Sequence, residues 1–285
     1  MSENANGIAG NQARTESGYV IGIDVGGTFT DAVCSDGLTT WRAKSPTNPA
    51  RFSDGVIGAC GLLAQAAGLS PAGLMERVTR FGLGTTAVTN VLATRRGRTV
   101  GLLTTKGFEN HLHFMRNHRD VSDGWIEKFW MPIEPEAVRG INERVDRNGD
   151  IVRPLVAAEV IEAARDMIER NGVNAFAVSF LWSFRNPAHE QQVVALLKEN
   201  FPDVPVYSGV DLHPIMREYE RTTLALLNAF AADALDGVEE LEDYLRGLGL
   251  KCPMLLLHSG GGAISAQEAR QTPLALASSG PAAGS

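Results

Sequence analysis

Cysteine is scarce in this chain, with three among 285 residues, at positions 34, 60 and 252. An odd, widely spaced set excludes a disulfide framework and any paired metal-ligand motif, and it fits a reducing, cytoplasmic setting. Long apolar runs are also missing, so no membrane span is expected. Clustered positive charge is absent: 26 Lys and Arg face 33 Asp and Glu, a net charge of −7, which argues against a nucleic-acid surface. The basic run from Ala93 to Arg98 is short and reads as a solvated helix end. There is no Gly-x-x-x-x-Gly-Lys-Ser/Thr loop, no dinucleotide fingerprint, and no Ser-His-Asp or Cys-His arrangement. Residues 1–18 are polar and lack the apolar core of a signal peptide, so they read as a disordered tail.

What is present is a globular composition, 44% hydrophobic, with 30 glycines. The glycines cluster at 26–27, 82–84 and 260–262, each cluster beside an apolar, strand-like run. Tyr19 to Asp24 and Ala32 to Ser35 read as a β-hairpin, followed by a third run that stops at Pro46. Residues 52–69 repeat apolar positions at helical spacing, with Ser53 or Asp54 as the expected cap. Residues 77–97 read as a short strand, a glycine-rich bend and a helix starting near Thr85 or Thr86. Residues 98–105 form another strand, and Asn148-Gly149 marks a hairpin. An amphipathic helix then ends at Gly172, a strand covers 175–182, and a helix opens with Asn186 and Pro187 as N-cap and first residue. A further strand lies at 204–209. Residues 215–248 hold helical spacing with a break near Gly237, and a buried strand then ends in the glycines 260–262, before a short helix. Alternating strand and helix make this an α/β chain.

The tip of the first hairpin carries more polar chemistry than a turn needs. Successive small residues aim backbone N–H groups at one spot, which is a nest for phosphate oxygens. Thr28 and Thr30 add hydroxyls, while Asp24 at the strand end suits Mg²⁺ or its bound water; Asp31 returns toward the same end. An ordinary hairpin with Gly26 and Gly27 at positive φ accounts for the spacing equally well. Thr85, Thr86, Thr89 and Asn90 offer a second anion contact or a plain capping cluster. Gly260 to Gly262 follow a strand's carboxyl end, where open α/β sheets bind ligands. Ser278 to Gly284 have the composition of a loop entering a helix, and the chain is expected to be part of a longer polypeptide. His111, His113 and His118 lack a carboxylate or cysteine partner that would make a zinc site. Glu218, Glu220 and Arg221 read as a solvated or interdomain helix face, and Cys60 and Cys252 as core.

Seven stretches, in order, resemble the N-terminal part of the hydantoinase A/oxoprolinase family: IGIDVGGTFTDAV, GTTAVTNVLATRRG, LLTTKGFEN, FRNPAHEQQV, REYERTTLALLNAF, HSGGGAISAQEA and SSGPAAG. The resemblance covers residues 19 to 285. It implies an actin-like ATPase (ribonuclease H-like) fold, here its N-terminal portion. The implied domains are a hydantoinase/oxoprolinase N-terminal domain over 19–212 and an incomplete central ATPase domain over 213–285. Asp24 would lie near Mg²⁺, with Gly26, Gly27, Thr28 and Thr30 on the phosphates and Asp31 beside them. Thr85, Thr86 and Asn90 would stand close to the reaction centre. Gly261, Gly262, Gly280 and Gly284 would complete the ATP contacts. Two positions depart from the family pattern: Leu83 stands where a His is common, and Gly260 where an Asn is usual. The family's second phosphate loop is not among these residues, so the 285 residues alone are expected to carry half of an ATP site and little activity. The implied reaction is ATP-dependent hydrolysis of a cyclic amide by phosphoryl activation of its carbonyl. The alternatives are the ATP-handling subunit of an acetone- or acetophenone-type carboxylase acting on a ketone, a non-catalytic actin-like activator module, and a small-molecule kinase. A hydantoinase B-type subunit and an oligomeric assembly are the expected partners.

Overall fold

The computed structural model describes residues 18–48, 51–114, 120–122, 125–127 and 130–277. The chain forms two compact units, Met1–Leu83 with Glu240–Met254, and Gly84–Glu239 with Leu255–Ser285.

The first unit is built on an antiparallel meander of β1 (Tyr19–Val25), β2 (Phe29–Ser35) and β3 (Thr40–Pro46). Its strands alternate strictly: Ile21, Ile23, Val25, Ala32 and Cys34 are buried, while Asp24 and Asp31 face outward. Helix α1 (Phe52–Ala66) buries Val56, Ala59, Cys60, Leu63 and Ala64, a stripe at helical spacing. It lies very close to the hairpin because its facing positions are glycine. A Cβ on Gly55 would come within 2.4 Å of Thr30 Oγ1, and one on Gly58 within 2.6 Å of Ser45 Oγ. The expected cap is displaced: the helix starts at Phe52, and Asp54 instead sits in the first turn, where Asn48 donates to it at 3.0 Å. Helix α2 (Pro71–Met75) is capped by Ser70, whose hydroxyl accepts from Gly73 N–H at 3.0 Å. Strand β4 (Val78–Thr85) runs straight through Gly82 and Gly84, so the bend read there from glycine is not formed. Buried Phe81 and Leu83 fix it as strand.

The second unit centres on a parallel sheet whose strands lie in the order Val206–Ser208, Ala175–Ser179, Val100–Thr105 and Val138–Ile141. Helix α3 (Ala87–Thr94) leads to β5 (Val100–Thr105), every residue of which is buried. Next come α4 (His111–Phe114), the hairpin β6 (Asp120–Ser122) and β7 (Trp125–Glu127), and β8 (Val138–Ile141). A hairpin of β9 (Arg144–Val145) and β10 (Ile151–Arg153) turns at Gly149, whose φ of +94° suits glycine. Helix α5 (Ala157–Asn171) ends where Gly172 takes the left-handed conformation, as its sequence predicts. Strand β11 (Ala175–Ser179), α6 (Ala188–Asn200), β12 (Val206–Ser208) and α7 (Gly209–Leu212) follow. The α6 start lies one residue beyond the expected one, and Asn186 Oδ1 accepts from Ala188 N–H at 3.1 Å. The long helical pattern resolves into α8 (Glu218–Phe230), a 3₁₀ turn at Ala232–Leu235 and α9 (Val238–Gly247), with Gly237 at the break; from Glu240 on, α9 belongs to the first unit. The single strand expected near 252–265 is a hairpin, β13 (Met254–Leu257) and β14 (Ala263–Ser265), followed by α10 (Ala266–Gln271). Ser265 and Glu268 cap α10 reciprocally. Among the described residues, no helix is long and apolar enough to cross a membrane.

Candidate functional site

In the first unit the hairpin expected to hold phosphate is well formed. Asp24 on β1 pairs with Asp31 on β2, and Asp31 pairs in turn with Lys44 on β3. The three side chains make one row on the exposed face of the sheet, with Lys44 Nζ 3.0 Å from Asp31 Oδ1. Like charges placed directly opposite repel, so Lys44 offsets part of the cost of the aspartate pair. The tip closes tightly. Gly26 N–H donates to the Phe29 carbonyl at 3.0 Å, and Thr47 N–H donates to the Thr28 carbonyl at 2.9 Å. Gly26 does not take positive φ; its lack of a Cβ matters because one would meet that Phe29 oxygen at 3.0 Å. Gly27 and Thr28 form the exposed apex. Thr30 lies on the opposite face, fully buried, with its hydroxyl 2.9 Å from Thr47 Oγ1. Asp24, Asp31 and the apex are therefore brought together, and the Thr30 hydroxyl is turned away from them.

In the second unit, buried Thr85 accepts from Ala87 N–H at 3.1 Å, and Thr86 is the N-terminal boundary residue of α3. Asn90, one turn on, is exposed, with its amide 3.4 Å from Thr86 Oγ1. Gly261 and Gly262 take φ of +90° and +79° in the β13–β14 turn, a conformation that favours glycine. At Gly260 the backbone N–H donates to His258 Nδ1 at 2.8 Å. Leu83 is buried core in β4. Gly280 and Gly284 lie outside the described residues. A wider cleft of about 860 Å³, lined by residues such as Arg98, Lys198, Tyr207 and Arg270, contains none of the expected site residues.

A buried polar network at the carboxyl edge of the parallel sheet was not anticipated as a unit. Glu190 accepts from Phe180 N–H, Ser208 Oγ and Val210 N–H at 2.8, 2.7 and 3.0 Å. Arg221 donates to the carbonyls of Phe180 and Ile215 at 2.7 and 2.8 Å and is 1% exposed, which corrects its reading as a solvated helix residue. Glu143 joins Thr105 at 2.5 Å and His189 Nδ1 at 2.7 Å. His111, on a helix and not the strand that a ligand pair would need, contacts Thr222, which contacts Ser179. Among the described residues no cluster of three or more His, Cys, Asp or Glu could hold a metal ion. Cys60 is buried as expected, while Cys252 is only half-buried. The available signal was the hydroxyl at the end of each buried strand, Thr104, Thr105 and Ser179.

The family model described as the hydantoinase/oxoprolinase N-terminal region matches residues 20–201, and that described as hydantoinase/oxoprolinase matches 221–285. The chain belongs to the hydantoinase/oxoprolinase family. Among its relatives, the caprolactamase subunit alpha of Pseudomonas jessenii is 32% identical, over 93% of this chain and 38% of that protein. The acetophenone carboxylase gamma subunit of Aromatoleum aromaticum is 34% identical, over 85% of this chain and 35% of that protein. A solved ATP-dependent caprolactamase from Pseudomonas jessenii superposes with a TM-score of 0.78 at 32% identity, covering 92% of this chain and 38% of that one. A nucleotide-free acetone carboxylase gives a TM-score of 0.81 at 24% identity, covering 93% of this chain and 39% of that one, and so shares its fold. The α/β fold, as the N-terminal portion of an actin-like ATPase, agrees with both. This member of the hydantoinase/oxoprolinase family thus spans under two-fifths of the length of these relatives.

Proposed function

We propose that the full-length protein uses ATP to activate the carbonyl of a cyclic amide for hydrolysis, and that these residues supply the first half of its ATP site. The observation carrying this reading is the hairpin: two outward carboxylates in register, beside a tight glycine apex, in a family with an ATP-dependent lactamase among its members. The donor set fits Mg²⁺, a hard cation that takes oxygen ligands and uses one or two carboxylates together with substrate phosphates. Asp24 would hold that ion, directly or through water, with Asp31 beside it. Bound there, Mg²⁺ would neutralise charge on the transferred phosphoryl group. Gly26, Gly27 and Thr28 would meet the phosphates, Gly261, Gly262, Gly280 and Gly284 would extend the ATP contacts, and Thr85, Thr86 and Asn90 would flank the reacting carbonyl. The N-terminal domain is taken as 19–212 and the start of the central domain as 213–285. A cytoplasmic assembly with a hydantoinase B-type subunit is the expected setting.

The carboxylase relatives support a second reading, in which the activated carbonyl belongs to a ketone. The test is ATP turnover by the full-length protein and its partner subunit against hydantoins, 5-oxoproline, lactams and aromatic ketones. Stimulation by a cyclic amide supports the first reading; stimulation only by ketones replaces it with the second. Asp24→Asn should abolish that turnover while leaving the circular dichroism spectrum intact, and a variant with full activity would remove Asp24 from the metal site.

A further inference from the structure

The turn between β13 and β14 is exposed at its tip, Gly260 to Gly262, yet firmly held. His258 N–H donates to the Gly262 carbonyl and Gly261 N–H to the His258 carbonyl, both at 3.0 Å. Ser259 donates twice to the Ala275 carbonyl, through its N–H and its hydroxyl, each at 2.8 Å. Ala275 lies in the 3₁₀ turn Pro273–Leu276, which is itself fixed to α8: Leu274 N–H donates to Oδ1 of buried Asn228 at 2.9 Å. A hairpin reversal needs none of these outside anchors. They hold an exposed loop in one conformation, as a binding loop on a rigid scaffold requires.

His258 completes the turn and sets the state of its own ring. Gly260 N–H donates to His258 Nδ1 at 2.8 Å. An N–H group only donates, so Nδ1 is the bare, accepting nitrogen and the proton of the neutral ring sits on Nε2. A Cβ on residue 260 would come within 3.0 Å of His258 Cε1 and 3.1 Å of Nδ1, so glycine there is what lets the ring approach. His258 is half-buried, and among the described residues its Nε2 has no hydrogen-bond partner and is not one of the enclosed polar atoms. Gly262 N–H likewise has no partner among the described residues. Both groups are donors. No carboxylate lies between Met254 and Gln267, and Glu268 is already engaged by Ser265 N–H and Oγ at 2.9 and 2.8 Å. The tip therefore offers donors with no anion of its own segment to satisfy them, which suits an anionic oxygen.

We propose that His258 is a nucleotide-binding residue whose Nε2–H donates to a phosphate oxygen of ATP, with Gly262 N–H as a second donor from the same turn. The inference rests on the ATP reading above, which counts Gly261 and Gly262 among the nucleotide contacts and gives His258 no part. The two ring nitrogens have separate tasks. Nδ1 accepts from Gly260 and so holds both the turn and the tautomer; Nε2 meets the ligand. No proton is transferred.

Two substitutions separate these tasks. Asn carries its amide at the reach of Nδ1, and Gln carries its own at the reach of Nε2. His258→Asn can still accept from Gly260 N–H but loses the donor to phosphate; His258→Gln keeps that donor. Isothermal titration of the full-length protein with MgATP should show His258→Asn weakening Kd by about 10- to 100-fold, the effect of one hydrogen bond to a charged group. His258→Gln should bind as the wild type does. If His258→Asn fails to fold, Gly260→Ala serves in its place: its methyl displaces the ring and should weaken MgATP binding to the same degree. Unchanged affinity in the folded variant, or a Gln variant as weak as Asn, overturns the role of His258 alone. In wild-type protein labelled on its histidine rings, ¹⁵N NMR should show His258 as the Nε2–H tautomer, with the Nε2 signal moving as MgATP binds. An Nδ1–H tautomer, or a ring unmoved by MgATP that calorimetry shows to be bound, also overturns it. A wild-type protein that binds no MgATP overturns the ATP reading itself, and the role of His258 with it.

Discussion

Glu190 is fully buried, and its carboxylate gathers donors from three separate places: the Phe180 N–H, the Val210 N–H and the Ser208 hydroxyl. Burial alone pushes its pKa up, while these hydrogen bonds favour the charged form and work the other way. The residue ties the end of β11 to the end of β12 and the start of α7. Glu190→Ala would leave all three donors unpaired in a site without water access. The expected loss is about 3 kcal/mol, set by the cost of unsatisfied buried groups. Urea denaturation measures it, and a loss under about 1 kcal/mol would mean that water takes over the donors. None of this is visible in the sequence around Glu190 or Arg221. A helix opening with Glu218, Glu220 and Arg221 looks like a solvent face until the Phe180 carbonyl is known to lie beneath it. Asp24 and Asp31 were legible, because strand alternation alone puts both on one face.

At the scale of elements, the first hairpin and α1 show how close packing is written in small residues. Thr30 faces α1, and Gly55 is the residue that makes room for its hydroxyl. Gly55→Ala would place a methyl 2.4 Å from Thr30 Oγ1 and 3.2 Å from the Pro46 carbonyl, so the helix or the hairpin must shift. Overpacking of this kind costs about 1–3 kcal/mol. Thermal denaturation should show the loss, and the double variant Gly55→Ala with Thr30→Ala should recover part of it. No recovery would put the strain at the Pro46 carbonyl. Local periodicity made most elements legible, down to Gly172 at the end of α5. Misreadings arose where the deciding contact is non-local. Gly82 and Gly84 resemble a bend, yet buried neighbours hold them in β4. The glycines after Leu257 resemble a strand end, yet Ala263–Ser265 returns to pair with β13.

For the whole molecule, the decisive fact is that these residues match under two-fifths of the relatives' length. On the half-site reading proposed above, the hairpin of the first unit would supply carboxylates and an apex to the ATP site, and the other phosphate contacts would come from outside residues 1–285. Each charge-assisted hydrogen bond to a phosphate contributes about 1.5–3 kcal/mol, so losing even two removes about 3 kcal/mol or more. That corresponds to about 100-fold in Kd. Isothermal titration of MgATP should therefore find the 285-residue chain at least about 100-fold weaker than the full-length protein. Asp24→Asn should lower the affinity of the full-length protein and also weaken the residual binding of the piece, because Asp24 belongs to the half-site that the piece retains. Equal affinity in the two proteins would show that every strong contact lies within residues 1–285, and the half-site reading would be wrong.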